Sequence, residues 1–366
     1  MNYRITCLTP TLVGNGQRLA PIDYMVWRDQ VNILDQNRIF RLLARGPRLE
    51  GYLAQLKKSE KLDFASWGGF AQNFAGRRIP FEHASSTQFW NSARAENLFI
   101  PVFAVGTQGK LIPGTAVKGA LRTALVHARI GEKQIKDAAA QAANDPRALR
   151  RAGPNAEDSA LGGSGQSLMR SIAPADSSGV PESSFRVYLL RTATLEAAGG
   201  GRYQLAWKTS PRGAVRKADD STPAFAEMAV PGTTFEGGWH DGGRAMGGLW
   251  KAANEYSAQL LAIHRQYADG TGLSVLRAAI EGLEKRVAEA ASGGRACVLP
   301  LGWGGGFLSK AAFFNTADES YRQLLRQVSF YARAVDSPLP FPKTRRVVFL
   351  ENRPATLPGW VKFEIA

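Results

Sequence analysis

Hydrophobic and polar positions along the chain follow two periods, one typical of strands and one typical of helices. Near the N-terminus, NYRITCLT predicts a strand over 2–9 that ends at Pro10 and at a turn containing Gly14 and Gly16. The run YMVWRDQVNIL, residues 24–34, places β-branched and aromatic residues on both sides of a polar RDQ turn. This pattern predicts a hairpin.

After this hairpin the pattern changes to a largely helical one. NRIFRLLARG predicts a helix over 37–46, and residues 50–95 are predicted to form a mostly helical insertion. Extended chain returns in NLFIPVFAV, residues 97–105. Two segments rich in Gly, Pro, Ser and charge, 144–166 and 199–223, are predicted to be mobile loops.

The later part of the chain has the clearest helical periodicity. Apolar residues at steps of three and four over about 248–291, interrupted by a DGTG turn, predict a helical hairpin with facing apolar stripes. The same spacing predicts a further helix over 321–335. The remaining strand-like runs are 168–173, 184–195, 225–230, 233–239, 344–351 and 360–365. Strands and helices in similar order in both halves predict an α+β protein built from two related units.

The net charge of the chain indicates the kind of partner that it binds. The chain has 46 Lys and Arg against 31 Asp and Glu, a net charge of +15. Such a surplus is typical of proteins that bind a polyanion, and a soluble basic protein without such a partner is the alternative. No apolar run reaches the roughly 20 residues needed to cross a bilayer, and no signal peptide is evident at the N-terminus. These observations favour a cytoplasmic protein and nucleic acid over membrane.

Cysteine and histidine usage indicates neither a disulfide framework nor a metal site. The two cysteines, Cys7 and Cys297, are far apart, and the four histidines are scattered without metal-ligand spacing. We therefore predict no metal and no cofactor.

IPGTAVKGALRTAL, residues 112–125, predicts a helix with one apolar and one basic face. Thr115 is a candidate N-cap, and Lys118 and Arg122 follow on the same side of the helix. Unpaired amides and the positive end of the helix dipole would lie beside Gly114, where an anion could approach the backbone. The sequence thus predicts phosphate binding here, with an ordinary amphipathic helix as the alternative. A nucleotide-binding P-loop is disfavoured, because Ala120 follows Lys118-Gly119 where that motif requires a hydroxyl.

Two further segments combine glycine or basic residues in a similar way. LGWGGGFLSKAAF, residues 301–313, surrounds Trp303 with glycines and places Lys310 shortly after them. Its backbone amides could face a phosphate while Trp303 offers a stacking surface, although a glycine turn with a core Trp303 fits equally. FPKTRRVVFLE places Lys343 and Arg345 at the head of a strand, where an exposed basic strand end is the alternative. Tyr203 and Trp207 are predicted to be exposed aromatics.

Taken together, these segments resemble the RAMP superfamily of CRISPR proteins. IPGTAVKGALRTAL is similar to a signature of RAMP subunits in type III effectors, and LGWGGGFLSK to the glycine-rich segment of one subgroup. PKTRRVV followed by PGWVKFEI is similar to that subgroup's closing strands, and LTPTLVGNGQRLAPIDYMV to its opening. The resemblance is closest to the subunit that caps the 3′ end of the guide RNA in type III-A (Csm) complexes.

The resemblance implies a fold, partners and a set of contact residues. It implies two ferredoxin-like (RRM-type) domains, 1–180 with a helical insertion at about 36–95, and 181–366 with a helical hairpin at about 248–291. It implies single-stranded guide RNA (crRNA) and the other subunits of a type III CRISPR effector as partners. The residues predicted to bind RNA are Gly14, Gly16, Arg18, Gly114, Thr115, Lys118, Arg122, Trp303, Gly304, Gly305, Gly306, Lys310, Lys343 and Arg345.

Catalysis is the competing interpretation, because the superfamily includes endoribonucleases. Some use a histidine, but His83 lies in the insertion and His127 on a predicted helix; His240, in GGWHDGG, is the best placed, in a predicted exposed loop. Others cut RNA with a loop aspartate and a metal, a role for which Asp23 is the candidate. We predict a non-catalytic RNA-binding and assembly subunit, with an endoribonuclease acting through Asp23 or a histidine as the alternative.

Overall fold

The structure, a computed structural model, describes residues 1–365 apart from 45, 47, 59–60, 63–72, 146, 164–166, 212 and 242–245. These residues form a mixed α/β fold with antiparallel sheets. The helices in this part of the chain are α1 (Gln36–Leu43), α2 (Arg48–Lys58), α3 (Ser86–Ser92), α4 (Gly114–His127), α5 (Glu132–Asn144), α6 (Leu149–Ala160), α7 (Met246–Thr271), α8 (Ser274–Gly293), α9 (Glu319–Arg326) and α10 (Ser329–Val335).

The strands of the same residues are β1 (Asn2–Cys7), β2 (Arg18–Leu19), β3 (Tyr24–Trp27), β4 (Gln30–Leu34), β5 (Ala75–Pro80), β6 (Ile100–Pro101), β7 (Val105–Gly106), β8 (Gly109–Lys110), β9 (Ile172–Ser177), β10 (Phe185–Gly199), β11 (Arg202–Lys208), β12 (Ala214–Val215), β13 (Ala224–Ala229), β14 (Thr234–Asp241), β15 (Ala296–Pro300), β16 (Thr344–Leu350), β17 (Arg353–Thr356) and β18 (Trp360–Ile365).

The central sheet has five antiparallel strands in the order β15-β18-β1-β14-β9. In this sheet β1 is an interior strand, and Tyr3 lies opposite Gly237 of β14 and Ile365 of β18. Helices α4 and α7 contact the sheet at β9 and β15 and contact each other. The strands of this one sheet come from segments before and after residue 180. The predicted domain boundary at residue 180 therefore does not separate one sheet from another.

The second sheet has the order β12-β11-β10-β16-β17, and β13 also pairs with the first part of the long strand β10. The prediction of a mobile loop over 199–223 is wrong for its first part, because 202–208 form β11. The glycine run at 199–201 has positive φ throughout and makes a tight turn between β10 and β11. Trp207 on β11 is buried against Phe349, not exposed as predicted.

The insertion after the first hairpin is less helical than predicted. The predicted hairpin is confirmed as β3 and β4, and an unforeseen strand, β5, adds to it. Helices α1 and α2 cover this small sheet, and a separate apolar cluster that includes Met25, Ile39 and Tyr52 holds the two layers together. Part of the predicted insertion, 63–72, lies outside the described residues.

The segment predicted as a mobile loop over 144–166 contains helix α6. Its alanines, Ala152 and Ala156, are buried with Ala138 and Ala142 of α5. Small side chains let the two helix backbones approach closely, which compensates for the helix-breaking residues Gly153 and Pro154. Apolar periodicity is weak in such an alanine interface, and the sequence pattern therefore indicated a loop.

The helical hairpin predicted at about 248–291 is confirmed as α7 and α8. Leu260, Ile280 and Leu283 from the facing stripes are buried. The second helix ends at Gly294, whose φ of 72° provides the left-handed cap. The single helix predicted over 321–335 is divided into α9 and α10. No helix among the described residues is long and apolar enough to span a membrane.

A buried group of charges connects three of the smaller strands. The side chains of Lys110 and Glu227 are fully buried and paired with each other, and Arg77 also pairs with Glu227. Glu182 completes the group at 2.8 Å from both cations. The second carboxylate oxygen of Glu227 accepts from the backbone amide of Phe103 at 3.1 Å. The group is therefore balanced in charge and well supplied with hydrogen bonds, as buried ions require.

Candidate functional site

A groove with a volume of about 790 Å³ lies where three distant segments of the chain meet. These segments are the loop after β1, one face of α4 with the adjoining 99–102 segment, and the glycine-rich segment after β15. The groove is lined by Leu12, Val13, Gly14, Gly16, Gln17, Arg18, Phe99, Pro101, Val102, Ala116, Gly119, Ala120, Thr123, Gly302, Trp303, Ser309 and Lys310. Two of the predicted glycine segments, almost 300 residues apart in sequence, thus line one cavity.

The two walls are joined by a backbone contact. The amide of Trp303 donates to the carbonyl of Leu12 at 2.7 Å. Gly302 has a φ of 83°, and a Cβ there would collide with the same carbonyl. The contact therefore requires glycine at this position, both for its left-handed backbone and for the close approach.

The groove is positively charged. Arg18 and Lys310 are exposed at its edges, and none of its lining residues within the described structure carries a carboxylate. The Arg18 guanidinium lies over the ring of Phe99, 4.5 Å from its centroid, which orients the charge along the groove wall. Two cations that make no ion pair with another described residue favour an anionic ligand.

Trp303 is a wall residue with one side already covered. The Arg346 guanidinium lies 4.1 Å from its ring centroid, and the indole is half-buried against the main core. Its exposed part faces the groove. Trp303 therefore packs on the core and also lines the groove, and its predicted stacking on a ligand stays a prediction.

The start of α4 differs from its prediction. The helix begins at Gly114 with Pro113 as its N-cap, so Thr115 is an exposed residue of the first turn and not the cap. The amide of Gly114 donates to the carboxylate of Asp176 at 2.8 Å. An anion does bind the helix start, but it belongs to this chain. Gly114 is buried where a Cβ would collide with the Pro174 carbonyl, so it serves the packing of α4 on β9.

The basic face of α4 does not face the groove. Arg122 pairs with Glu157 and lies 3.7 Å from Asp158, both on α6. Lys118 is half-exposed and, like Arg122, lies outside the lining of the groove. The face that lines the groove carries the small residues Ala116, Gly119 and Ala120. RNA contact by Lys118 or Arg122 stays a prediction, and Arg122 would have to leave its acidic partners to make one.

The remaining glycines of the 302–306 turn have different roles. Gly304 is buried, and a Cβ there would lie 2.7 Å from Pro358. Gly305 is packed against the Ser309 side chain, whereas Gly306 is exposed with open space around it. Of these three residues only Gly306 presents an accessible backbone, and all three stay outside the lining of the groove.

Arg345 is a core residue, and we correct its predicted role as an RNA contact. It is only 7% exposed, and its Nε donates to Nδ1 of His264 at 3.0 Å. Its guanidinium also donates to the Pro342 carbonyl at 2.7 Å and lies over the ring of Tyr267. Lys343 lies near the surface but lines a different cavity.

Burial makes His264 a source of acid sensitivity. Desolvation, reinforced by the nearby Arg345 charge, holds the pKa of His264 well below 6.5. The folded protein keeps this imidazole neutral while the unfolded chain binds a proton below about pH 6.5, so its contribution to stability is lost as the pH falls. Between about pH 7.5 and pH 5.5 we expect wild type to lose about 1.4 kcal/mol more unfolding free energy than His264→Gln. Urea unfolding at both pH values measures this difference, and equal losses would contradict the assignment.

Three of the residues considered for catalysis, Asp23, His127 and His83, have partners within the fold. The Asp23 carboxylate accepts from the backbone amide of Ala20 at 2.7 Å and closes the turn before β3. His127 bonds to the Ala312 carbonyl and to Gln259. His240 is exposed, but it lies on strand β14 and not in a loop. His83 is exposed and contacts Ser85. Within the described ranges, no group of three or more metal-ligating side chains could hold a metal ion.

The sequence analysis missed part of the groove. Phe99, Gln17 and the small-residue face of α4 were not predicted to face a ligand. A signal for that face exists, because Ala116, Gly119 or Ala120, and Thr123 recur at helical spacing. Small residues on one helix face leave room for either a neighbouring helix or a ligand, and the pattern cannot distinguish the two.

Comparison with known proteins gives a family match and two similar folds. A family model described as RAMPs, RAMP superfamily, matches residues 4–256. The fold is similar to a chain in the cryo-EM structure of a Csm–crRNA–target RNA ternary complex of a type III-A CRISPR-Cas system, with a TM-score of 0.68, 17% identity and coverage of 100% of both chains. It is also similar to the crystal structure of T.onnurineus Csm5, with a TM-score of 0.59, 17% identity and coverage of 98% of this chain and 99% of that one. No curated protein sequence matches at a significant level.

Proposed function

The chain belongs to the RAMP superfamily, and from this premise we propose that it is a non-catalytic subunit of a type III-A CRISPR effector complex. In this role it binds single-stranded guide RNA, caps the 3′ end of that guide and contacts the neighbouring subunits. The similarity of fold over the whole chain to a subunit of a Csm–crRNA–target RNA complex supports the proposal.

The observation that carries the proposal is the groove. Its two walls come from the loop after β1 and the segment after β15, and both contain exposed glycine or cationic residues. Single-stranded RNA needs contacts to successive phosphates and flat surfaces for its bases, with little demand for sequence reading. Arg18 and Lys310 supply charge for phosphates, the backbone at Gly14 and Gly16 is open to them, and Trp303 offers a stacking surface.

The strand order supports a ferredoxin-like unit beneath this groove. Strands β1, β9, β14 and β18 occupy the positions of a four-stranded ferredoxin-like sheet, with α4 after the first strand and α7 after the third. We propose that this unit spans the chain and that the second sheet, built around β10, is the remnant of a second unit of the same kind. The RNA strand would then cross between α4 and the loops at one end of the first unit.

The proposal predicts strong salt dependence of RNA binding. The double substitution Arg18→Gln and Lys310→Gln is expected to lower the affinity for single-stranded RNA by about tenfold or more at low salt. Each lost phosphate contact should also reduce the slope of log affinity against log salt by about 0.7. Fluorescence anisotropy with a labelled RNA, repeated over a series of salt concentrations, measures both quantities.

A matched control separates groove charge from net charge. Arg286 on α8 and Lys251 on α7 are exposed cations outside the groove. Their ion pairs among the described residues are with neighbours on their own helices. Arg286→Gln with Lys251→Gln removes the same two charges and should leave affinity within about twofold of wild type. Equal losses in both double variants, or a flat salt response in wild type, would contradict binding in the groove.

The endoribonuclease alternative is tested with the same protein. Asp23 is bound to the backbone of its own turn, so we expect labelled RNA to stay intact with Mg²⁺ or Mn²⁺. Cleavage that requires metal and is lost in Asp23→Asn would replace the proposed function with a nuclease. Copurification with other CRISPR proteins and a short guide RNA, whose 3′ end becomes nuclease-sensitive when this subunit is omitted, tests the capping role.

A further inference from the structure

A second cavity, with a volume of about 590 Å³, lies at the end of the second sheet, away from the groove. It is formed by the final part of β10, the end of β11, the turn that follows it, and the residue before β16. Its lining is Asn97, Thr192, Thr194, Leu195, Glu196, Lys208, Thr209, Ser210, Pro211, Gly213, Ala214, Thr222, Pro223, Ala224 and Lys343. It shares no residue with the groove, so substitutions can change either site separately.

One buried side chain in this cavity lacks a hydrogen bond. Thr194, a lining residue of the cavity, is only 3% exposed, and its hydroxyl has no hydrogen-bond partner among the residues that the structure describes. A buried hydroxyl without a partner is costly, and in native proteins such groups are nearly always satisfied. A polar ligand in the cavity would supply the missing bond.

The charged groups of the cavity indicate the kind of ligand. No ion pair between described residues involves Lys208 or Lys343, which both line the cavity. Glu196 is the only carboxylate among its described lining residues, and it too lies outside those ion pairs. Two free ammonium groups and one free carboxylate in a single cavity suit a ligand that combines an anion with hydroxyl donors.

Hydroxyl groups fill much of the remaining wall. Five lining residues carry a hydroxyl group, namely Thr192, Thr194, Thr209, Ser210 and Thr222. The wall is held in place by backbone contacts: the Ser210 amide donates to the Thr222 hydroxyl at 2.7 Å, and the Leu195 amide donates to the Lys343 carbonyl at 3.1 Å. Hydroxyl donors next to ammonium groups are typical of phosphate sites, and a carboxylate is a typical acceptor for ribose hydroxyls.

We propose that this cavity binds a ribonucleoside phosphate. Lys208, Lys343 and the Thr194 hydroxyl hold the phosphate, and Glu196 accepts from the ribose hydroxyls. The ligand is either a free nucleotide or the terminal nucleotide of an RNA strand, because both present the same ribose and phosphate. Lys343 thereby retains the phosphate contact predicted from the sequence, at a site other than the groove.

The test uses adenosine 5′-monophosphate and the full-length protein. Isothermal titration calorimetry at low salt should show saturable binding with one site per chain, and adenosine without phosphate should bind at least about tenfold more weakly. Lys208→Met and Lys343→Met should each lower affinity about tenfold. Thr194→Val, which keeps the side-chain shape, should lower affinity several-fold and raise the melting temperature of the free protein, because it removes the unpaired hydroxyl.

Control variants separate this site from the groove. Arg18→Gln with Lys310→Gln should leave nucleotide affinity unchanged, so failure of the groove proposal and failure of this one give different results. In that double variant, displacement of the nucleotide by an RNA of about 20 nucleotides would identify the ligand as a strand end. Lack of displacement would identify a free nucleotide. Absence of saturable binding up to about 10 mM nucleotide, or equal affinity in wild type and all three cavity variants, would overturn the proposal.

Discussion

Glu227→Gln is expected to lower the free energy of unfolding by about 3–5 kcal/mol, the largest effect of any single polar substitution considered. The change removes one negative charge from the buried group. Among the described residues, it leaves the fully buried Lys110 side chain with the half-exposed Glu182 as its one anionic partner. Burial already lowers the pKa of Lys110 to about 8. A buried lysine with a lowered pKa keeps its charge only when a counterion stabilises it. Urea unfolding at about pH 7 measures the expected decrease in the free energy of unfolding.

The matched control for this prediction is Glu236→Gln. Glu236 pairs with Arg4 at 2.9 Å, but both side chains are about half exposed. An exposed pair of this kind contributes about 0–1 kcal/mol, so the control should unfold almost as wild type does. Replacing the buried pair together, as Lys110→Met with Glu227→Leu, should recover part of the loss because no lone charge remains. A Glu227→Gln variant as stable as the control would show that the buried Lys110–Glu227 pair does not stabilise the fold.

Gly302→Ala is expected to reduce both stability and RNA affinity, because the position demands glycine for two reasons. Its φ of 83° is unfavourable for any residue with a Cβ, and the added Cβ would collide with the Leu12 carbonyl. The loop must therefore move away from Leu12 and break the bond to the Trp303 amide. We expect a loss of at least about 2 kcal/mol in unfolding free energy and about tenfold in affinity for single-stranded RNA.

Gly306→Ala separates backbone strain from the loop contact. Gly306 also has a positive φ, 70°, but a Cβ there would meet nothing within 4 Å. The strain alone should cost about 1 kcal/mol and leave RNA affinity near that of wild type. Urea unfolding and fluorescence anisotropy on the two alanine variants give both quantities. If the two variants lose RNA affinity equally, the contact between the two walls does not shape the groove.

Much of the fold follows from local patterns in the sequence. The hairpin of α7 and α8 and the hairpin of β3 and β4 were predicted because each depends on residues close together in the chain. Helix α6 and strand β11 were predicted as loops, because those segments are rich in glycine and proline. The contacts that bury them come from distant residues, which the local pattern does not show. The composition of a segment describes its intrinsic conformational preference, whereas its contacts with distant residues decide the conformation that it adopts.

The same limit applies to the site. The start of α4 and the 301–313 segment were identified from their glycines and cations, and the loop after β1 from the family resemblance. The face of α4 that lines the groove and the adjoining 99–102 segment were not identified. Arg122 pairs with Glu157, which is 35 residues further along the chain. The amide at the start of α4 donates to Asp176, which is 62 residues away. The spacing of residues in the sequence does not predict ion-pair or hydrogen-bond partners this far apart. Arg345 and Arg346 are adjacent and chemically identical, yet one bonds His264 in the core and the other covers Trp303.

The position of β18 determines when the central sheet can be completed during synthesis. Residues 360–365 form an interior strand between β15 and β1. A nascent chain that still lacks them leaves both neighbouring strands with an open edge, so the sheet cannot close before residues 360–365 have left the ribosome. The groove is shaped by the loop after β1 and the segment after β15, and these two strands flank β18, so a shorter nascent fragment has no finished groove. Completion of the sheet and formation of the groove are thus ordered in time by topology alone.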